Sequence, residues 1–349
     1  MNQERPGAIP VFFLLGIVFG KCDNETRNAK QQPVMGAILK LMFGISEVET
    51  TFARRGFRGG ENGRRERIEQ VGATFVAGYH AALENADEGF LIPRLEAIAA
   101  NERGFAFEGA AMALAILDRI TPWNRDRIRR FLQGPGNDYT YMVHVAVGWA
   151  AARLPGRVQK QMQPLDPLLR WLVIDGYGFH EGFFHWPKYL NDGLRPKRIT
   201  GYAERVFDQG LGRSLWFIEG ADVSRVAASI NSFSEARRAD LWSGAGLASV
   251  YAGEVDDHEL KSLVALAGKF RPQLAQGATF AAKARHRAGN STPYTDRACW
   301  ALCGMSSADA AALTDATLEN LPANSDEPAY EVWRQRVQRT FSHGRELKR

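Results

Sequence analysis

Residues 101–118 read Asn-Glu-Arg-Gly-Phe-Ala-Phe-Glu-Gly-Ala-Ala-Met-Ala-Leu-Ala-Ile-Leu-Asp, and their pattern decides the fold class. Phe105, Ala110, Leu114 and Leu117 fall on one side of a helix, and Thr121-Pro122 ends it. Gly109 sits in the middle. A glycine inside a helix costs roughly 1 kcal/mol against alanine, so its presence there needs a reason. The usual one is the close approach of a neighbouring helix or of a ligand to the backbone.

Working outward, the same signature recurs. A second helix runs from about Asp138 to Leu154, with Asn137 or Asp138 at its cap, Gly148 at its centre and Pro155-Gly156 at its stop. Central glycines follow at Gly78, Gly109, Gly148, Gly182, Gly210, Gly244 and Gly277, separated by 31, 39, 34, 28, 34 and 33 residues. From about residue 70 onward strand-like alternation is scarce. A spacing near 34 is that of a helix-turn-helix unit of the tetratricopeptide kind, which buries its apolar faces by stacking on its neighbours. The expected fold is therefore all-α, an array of helical hairpins closing as a solenoid or toroid. An irregular helical bundle is the alternative. The residues before the glycines are often polar: Glu108, Glu181, Gln209, Ser243 and Gln276. In equivalent repeats they line one surface; otherwise they cap neighbouring backbone.

The 349 residues divide by composition into a 1–34 extension, a 35–70 leader with an Arg-rich segment, the 71–320 helical array and a 321–349 tail or helix. The apolar run Ala8–Gly20 is short for a bilayer span, no small-x-small cleavage site follows it cleanly, and Lys21 spoils a lipid-attachment reading of Cys22. Met35 is an alternative start. Hydrophobic content of 45%, charged content of 24% and a net charge of +5 are those of an ordinary folded protein, too weakly basic to point to nucleic acid. Cys299 and Cys303 share a helix face, but no second cysteine pair completes a metal site. Reduced thiols fit a cytoplasmic protein, with membrane association as the alternative.

The densest chemistry lies at 175–186, Asp-Gly-Tyr-Gly-Phe-His-Glu-Gly-Phe-Phe-His-Trp. On a helix Tyr177, Glu181 and His185 form one stripe, in which Glu181 orients or tunes His185. His180 falls on another face, and its spacing to His185 is not that of two zinc ligands, so no metal is expected. Phe179, Phe183, Phe184, Trp186 and Trp216 are candidate apolar lining, with Tyr177, Glu108 and His144 beside them in substrate binding; a lone histidine such as His144 is more often a satisfied core residue. Glu181, His185, His180, Asp208 and Arg213 are the candidate catalytic set. Arg205 with Asp208, and Gln209 with Arg213, read either as a surface ladder or as a buried polar cluster facing 175–186. Arg54, Arg55 and Arg58 read as a solvated segment or as a docking patch for an acidic partner. Asp256-Asp257-x-Glu259 reads as a capping turn rather than a magnesium site. Phosphate-loop, dinucleotide and nucleophile-elbow motifs are absent, and the sequence names no cofactor.

Several long strings carry a resemblance. They include Glu49-Thr50-Thr51-Phe52-Ala53-Arg54-Arg55-Gly56-Phe57, Phe107-Glu108-Gly109-Ala110-Ala111-Met112, Asp175-Gly176-Tyr177-Gly178-Phe179-His180-Glu181-Gly182 and Arg205-Val206-Phe207-Asp208-Gln209-Gly210-Leu211-Gly212-Arg213. Over about Met35 to Ala310 the chain resembles a bacterial family of enediyne biosynthesis proteins built on a domain of unknown function. That resemblance implies a gene beside an iterative polyketide synthase, travelling with a beta-propeller-like partner and a membrane protein. It carries over no catalytic residues. The expected role is an accessory protein acting on or binding a polyene intermediate. The alternatives are a scaffold that docks the synthase carrier domain or a membrane partner, and a binding protein that sequesters a reactive polyene or enediyne.

Overall fold

The computed structural model describes residues 25–61, 63–121, 123–253, 255–322 and 326–342. The apolar run Ala8–Gly20, Cys22 and Pro122 lie outside them. The described residues form helices and connecting turns, with no β-strand among them. The main helices are α1 (Glu25–Phe43), α2 (Arg64–Glu84), α3 (Arg103–Ile120), α4 (Thr140–Arg153), α5 (Leu172–Trp186), α6 (Tyr202–Ile218), α7 (Glu235–Tyr251), α8 (Arg271–Arg287) and α9 (Ala329–Ser342). Shorter helices such as Glu88–Glu96, Val223–Ser232 and Asp257–Ala267 lie between them. Local signals explain several starts. Asp256 and Glu259 form a reciprocal capping box, and Thr292 and Thr295 form another.

Each of α2 to α8 packs on the next in chain order. Glycine explains how closely. A Cβ added at Gly78 would overlap the carbonyl of Ala106, and one at Gly109 would overlap the carbonyl of Phe75. The same reciprocal crossing joins Gly148 with Gly176, Gly178 with Gly210, Gly212 with Gly244, and Gly246 with Gly277. Helices α5, α6 and α7 thus each carry a pair of seam glycines two residues apart. Residues two apart on a helix point about 200° away from one another, so one glycine meets the preceding helix and the other meets the following one. Between α3 and α4 the corresponding positions are the buried alanines Ala111 and Ala146.

One expected position is corrected. The glycine of α5 equivalent to Gly109 and Gly210 is Gly176, not Gly182. A Cβ on Gly182 would meet the side chains of Ser214 and Leu211 rather than a neighbouring main chain. The polar residue in the equivalent place is therefore Asp175, not Glu181. With that correction, Glu108, Asp175, Gln209, Ser243 and Gln276 are all at most 3% exposed, so they point into the interior and not onto an open concave face.

Two end pieces cover this interior. The segment Ile45–Phe57 lies against α5 on one side: Trp186 donates to the Arg55 carbonyl at 2.9 Å, and Phe57 meets Phe183 edge to face at 5.0 Å. Helix α9 inserts Tyr330, Trp333 and Arg334 on the other, where Arg334 donates to Asp240 at 2.7 Å and Gln209 donates to Tyr330 at 3.1 Å.

Candidate functional site

Glycine seams bring the helix axes close, and large side chains on the inward faces then meet across the middle. Phe75 and Val71 of α2, Phe105 and Glu108 of α3, Trp149 of α4, Phe179, Phe183 and Phe184 of α5, Arg213 and Phe217 of α6 and Tyr251 of α7 surround one cavity. The centre of a water can visit about 50 Å³ inside it, room for roughly three or four waters or a slender chain. Aromatic edges and faces form most of its wall. Trp149 packs against Phe75 at 4.9 Å and edge to face with Phe179 at 5.0 Å. A second apolar cavity, between Tyr141, Met142, Phe280 and Trp333, shares Arg213 and Leu247 with the first.

Three charged side chains sit at the inner end. Arg213 donates to Asp175, stacks over Phe179 at 4.7 Å, and is 4% exposed. Asp175 also accepts from Gln209 at 2.7 Å, so its charge is matched and hydrogen-bonded. Glu108 has no such match. Burial pushes its carboxyl up from 4.5 to about 7; Arg213 pulls it down in part, and Asp175 adds to the rise. The Trp149 indole lies near enough to favour the carboxylate a little. Yet among the described residues neither Glu108 Oε1 nor Trp149 Nε1 has a hydrogen-bond partner. Both atoms are closed off from the cavity space as well as from solvent, with the indole N–H beside the carboxyl.

The expected catalytic set is divided among three places. Arg213 lies at the cavity with Glu108. Asp208 lies elsewhere, held by Arg195 and Arg237. Glu181 is paired with His180 at 3.3 Å and accepts from Tyr189. Burial raises the Glu181 carboxyl, but those two hydrogen bonds together with the nearby His180 and His185 outweigh it and leave the group below its usual range. Burial lowers His180 below the ordinary histidine value, and its ring meets Trp149 edge to face at 5.4 Å. His185 is exposed at a non-helical kink (φ −131°, ψ 29°), which breaks the regular helical stripe Tyr177–Glu181–His185, although His185 and Tyr177 both lie near enough to act on Glu181 electrostatically.

Of the expected lining, Phe183, Phe184 and Phe179 face the cavity, whereas Trp186 packs under Arg58 at 5.2 Å and Trp216 is buried behind the wall. Tyr177 is half-buried against Phe207, and His144 is a core histidine bonded to the Thr140 carbonyl at 2.7 Å. Arg205 pairs with Asp240 and Glu331 rather than with Asp208. Gln209 and Arg213 do form a buried cluster on Asp175. The arginines of the supposed docking patch are engaged within the chain: Arg54 and Arg55 hold Glu49, and Arg58 holds the buried Glu219. Among the described residues no three His, Cys, Asp or Glu side chains group closely enough to hold a metal ion, and no helix is long and apolar enough to cross a membrane.

Sequence reasoning passed over Trp149, Phe105, Phe217 and Tyr251, and left Asp175 outside the site set. The signal for Trp149 and Asp175 was present, since each adjoins a seam glycine.

Fold and site together define an all-helical protein with an aromatic cavity and a buried acid, Glu108, in its wall. The family described as Protein of unknown function (DUF1702) matches residues 34–341, and the chain belongs to it. No curated protein and no solved structure matches the chain.

Proposed function

We propose that the protein is a curved, toroid-like array of helical repeats that binds one slender, conjugated hydrocarbon chain inside its core. In this reading it is an accessory protein of enediyne-type polyketide assembly, and the chain is a polyene intermediate. The observation that carries the proposal is the cavity wall of phenylalanines and Trp149, whose flat faces suit conjugated carbon. The sequence resemblance supplies the biosynthetic setting. Docking through Arg54, Arg55 and Arg58 finds less support, because carboxylates of the same chain already neutralise them.

The test is fluorescence of a short linear polyene, octatetraene, added to the purified protein. Emission should rise on binding and saturate at one probe per chain. Ala248 lines the cavity and is buried, so Ala248→Phe should fill the space and remove that rise while helix content stays unchanged. A probe that gains no emission with the unmodified protein, or binds the filled variant equally well, defeats the proposal.

A further inference from the structure

The two cavities lie end to end. The central one is bounded by Ile45 and Thr50 of the Ile45–Phe57 segment, and the second is bounded by Tyr330 and Trp333 of α9, the end piece on the other side. Their walls have Arg213 and Leu247 in common, so these two side chains stand between the spaces. The second space is the smaller. The centre of a water can visit about 20 Å³ of it, room for roughly one or two waters and for no ligand of its own. Met142, Leu172, Phe280 and Trp333 make its wall mainly apolar. A hydrocarbon that passed the partition would therefore remain among apolar side chains.

The two partition residues differ in what holds them. Arg213 is tied to Asp175 and stacked over Phe179, and its loss would strand a buried carboxylate. Leu247 is a buried hydrocarbon side chain with no such tie. Its main chain is registered by a glycine seam: a Cβ added at Gly277 would lie 2.8 Å from the Leu247 nitrogen. Shortening the Leu247 side chain thus opens space between the cavities while the seam holds α7 in place. We propose that Leu247 sets the length of chain the protein accepts, by closing the central cavity off from the second one. This rests on the cavity being a polyene site, and it assigns to that site short linear polyenes. With leucine at 247 the ligand is confined to the central cavity. With a smaller residue there, a longer chain runs on towards α9.

The experiment compares two fluorescent probes with the same conjugated tetraene: octatetraene, and the methyl ester of trans-parinaric acid, whose chain is more than twice as long. The longer probe has more apolar surface to bury, yet the unmodified protein should bind octatetraene roughly tenfold more tightly. Leu247→Ala should remove or reverse that preference, a relative gain of roughly tenfold or more for the ester. Leu247→Val removes less and disturbs the fold less, and should give a smaller gain in the same direction. Ala284 is buried in the wall of the second cavity. Ala284→Leu refills that space, so adding it to Leu247→Ala should cancel the gain while octatetraene still binds. The inference is overturned, with the polyene site left standing, if the unmodified protein binds the ester as tightly as octatetraene, if neither Leu247 variant shifts the preference, or if Ala284→Leu leaves the gain in place. Failure of octatetraene to bind the unmodified protein removes both readings. The length preference of the unmodified protein can overturn the inference even where a variant does not fold.

Discussion

At the scale of single residues, Glu108 and Arg213 show how much a buried charge depends on its neighbours. Glu108 is held near 7 in the folded chain and ionises near 4.5 when exposed. A raised carboxyl value means the folded state keeps its proton longer. The stability it allows is full below about 4.5, declines as pH rises towards 7, and is then level. Glu108→Gln lacks that decline. Its unfolding free energy should exceed that of the parent by an amount of order 3 kcal/mol at about pH 8 and by little at about pH 4, read from thermal or urea unfolding at each pH. Arg213→Met makes the opposite point. It leaves the Asp175 carboxyl 0% exposed and without its counterion, and should lower stability by about 3–5 kcal/mol. Adding Asp175→Asn should recover much of the loss in the same urea titration. Glu108 and Arg213 were both legible in the sequence as polar groups in apolar helices. Asp175, the partner of Arg213, was not, because the helix phase of 175–186 was set by Gly182 instead of Gly176. The Glu181–His185 pairing failed for a local reason: the chain leaves helical geometry at His185, and no spacing rule reveals that kink.

At the scale of helices, the seam glycines reverse an ordinary rule. Gly→Ala in an isolated helix is stabilising by up to about 1 kcal/mol. At Gly210 the added methyl would collide with the Asp175 main-chain carbonyl, which cannot move aside without shifting α5. Gly210→Ala should therefore cost more than about 3 kcal/mol or prevent folding. Gly182→Ala meets side chains only and should cost clearly less, in parallel denaturation curves. Similar losses at both positions would contradict the seam. The all-helical class and the helix bounds near Gly109 and Gly148 were readable from periodicity to within a few residues. The glycine spacing also gave the right reason, close backbone approach. The pairing of two glycines per helix was visible in Gly176-Tyr177-Gly178, Gly210-Leu211-Gly212 and Gly244-Ala245-Gly246, but its meaning requires knowing which two neighbours a helix touches.

Over the whole molecule, the interior is finished by its ends. Helix α9 supplies Tyr330, Trp333 and Arg334, each at most 2% exposed, and Arg334 answers Asp240, Glu331 and Gln276. Ending the chain at residue 322 should leave Asp240 with Arg205 alone and expose the second cavity. The shortened protein should bind an apolar dye such as anilinonaphthalene sulfonate and unfold at lower denaturant concentration, while keeping most of its helix signal. No local pattern in the sequence foretold this closure. The contacts of α9 span up to 129 residues of chain, as in Tyr202 with Glu331, and they rest on a few polar side chains rather than on periodicity.

The seams have a further consequence for how such a protein can change. Neighbouring helices are registered by main chain against main chain, an atom set that side-chain replacement leaves in place. The aromatic wall is hung on that frame without being needed to align it. Phe75, Phe105, Phe179, Phe183 and Phe217 can therefore be exchanged, one volume for another, with the helix positions held fixed. A single architecture of this kind is open to drift in what it encloses, and a set of such proteins can diverge in ligand while remaining superimposable in backbone.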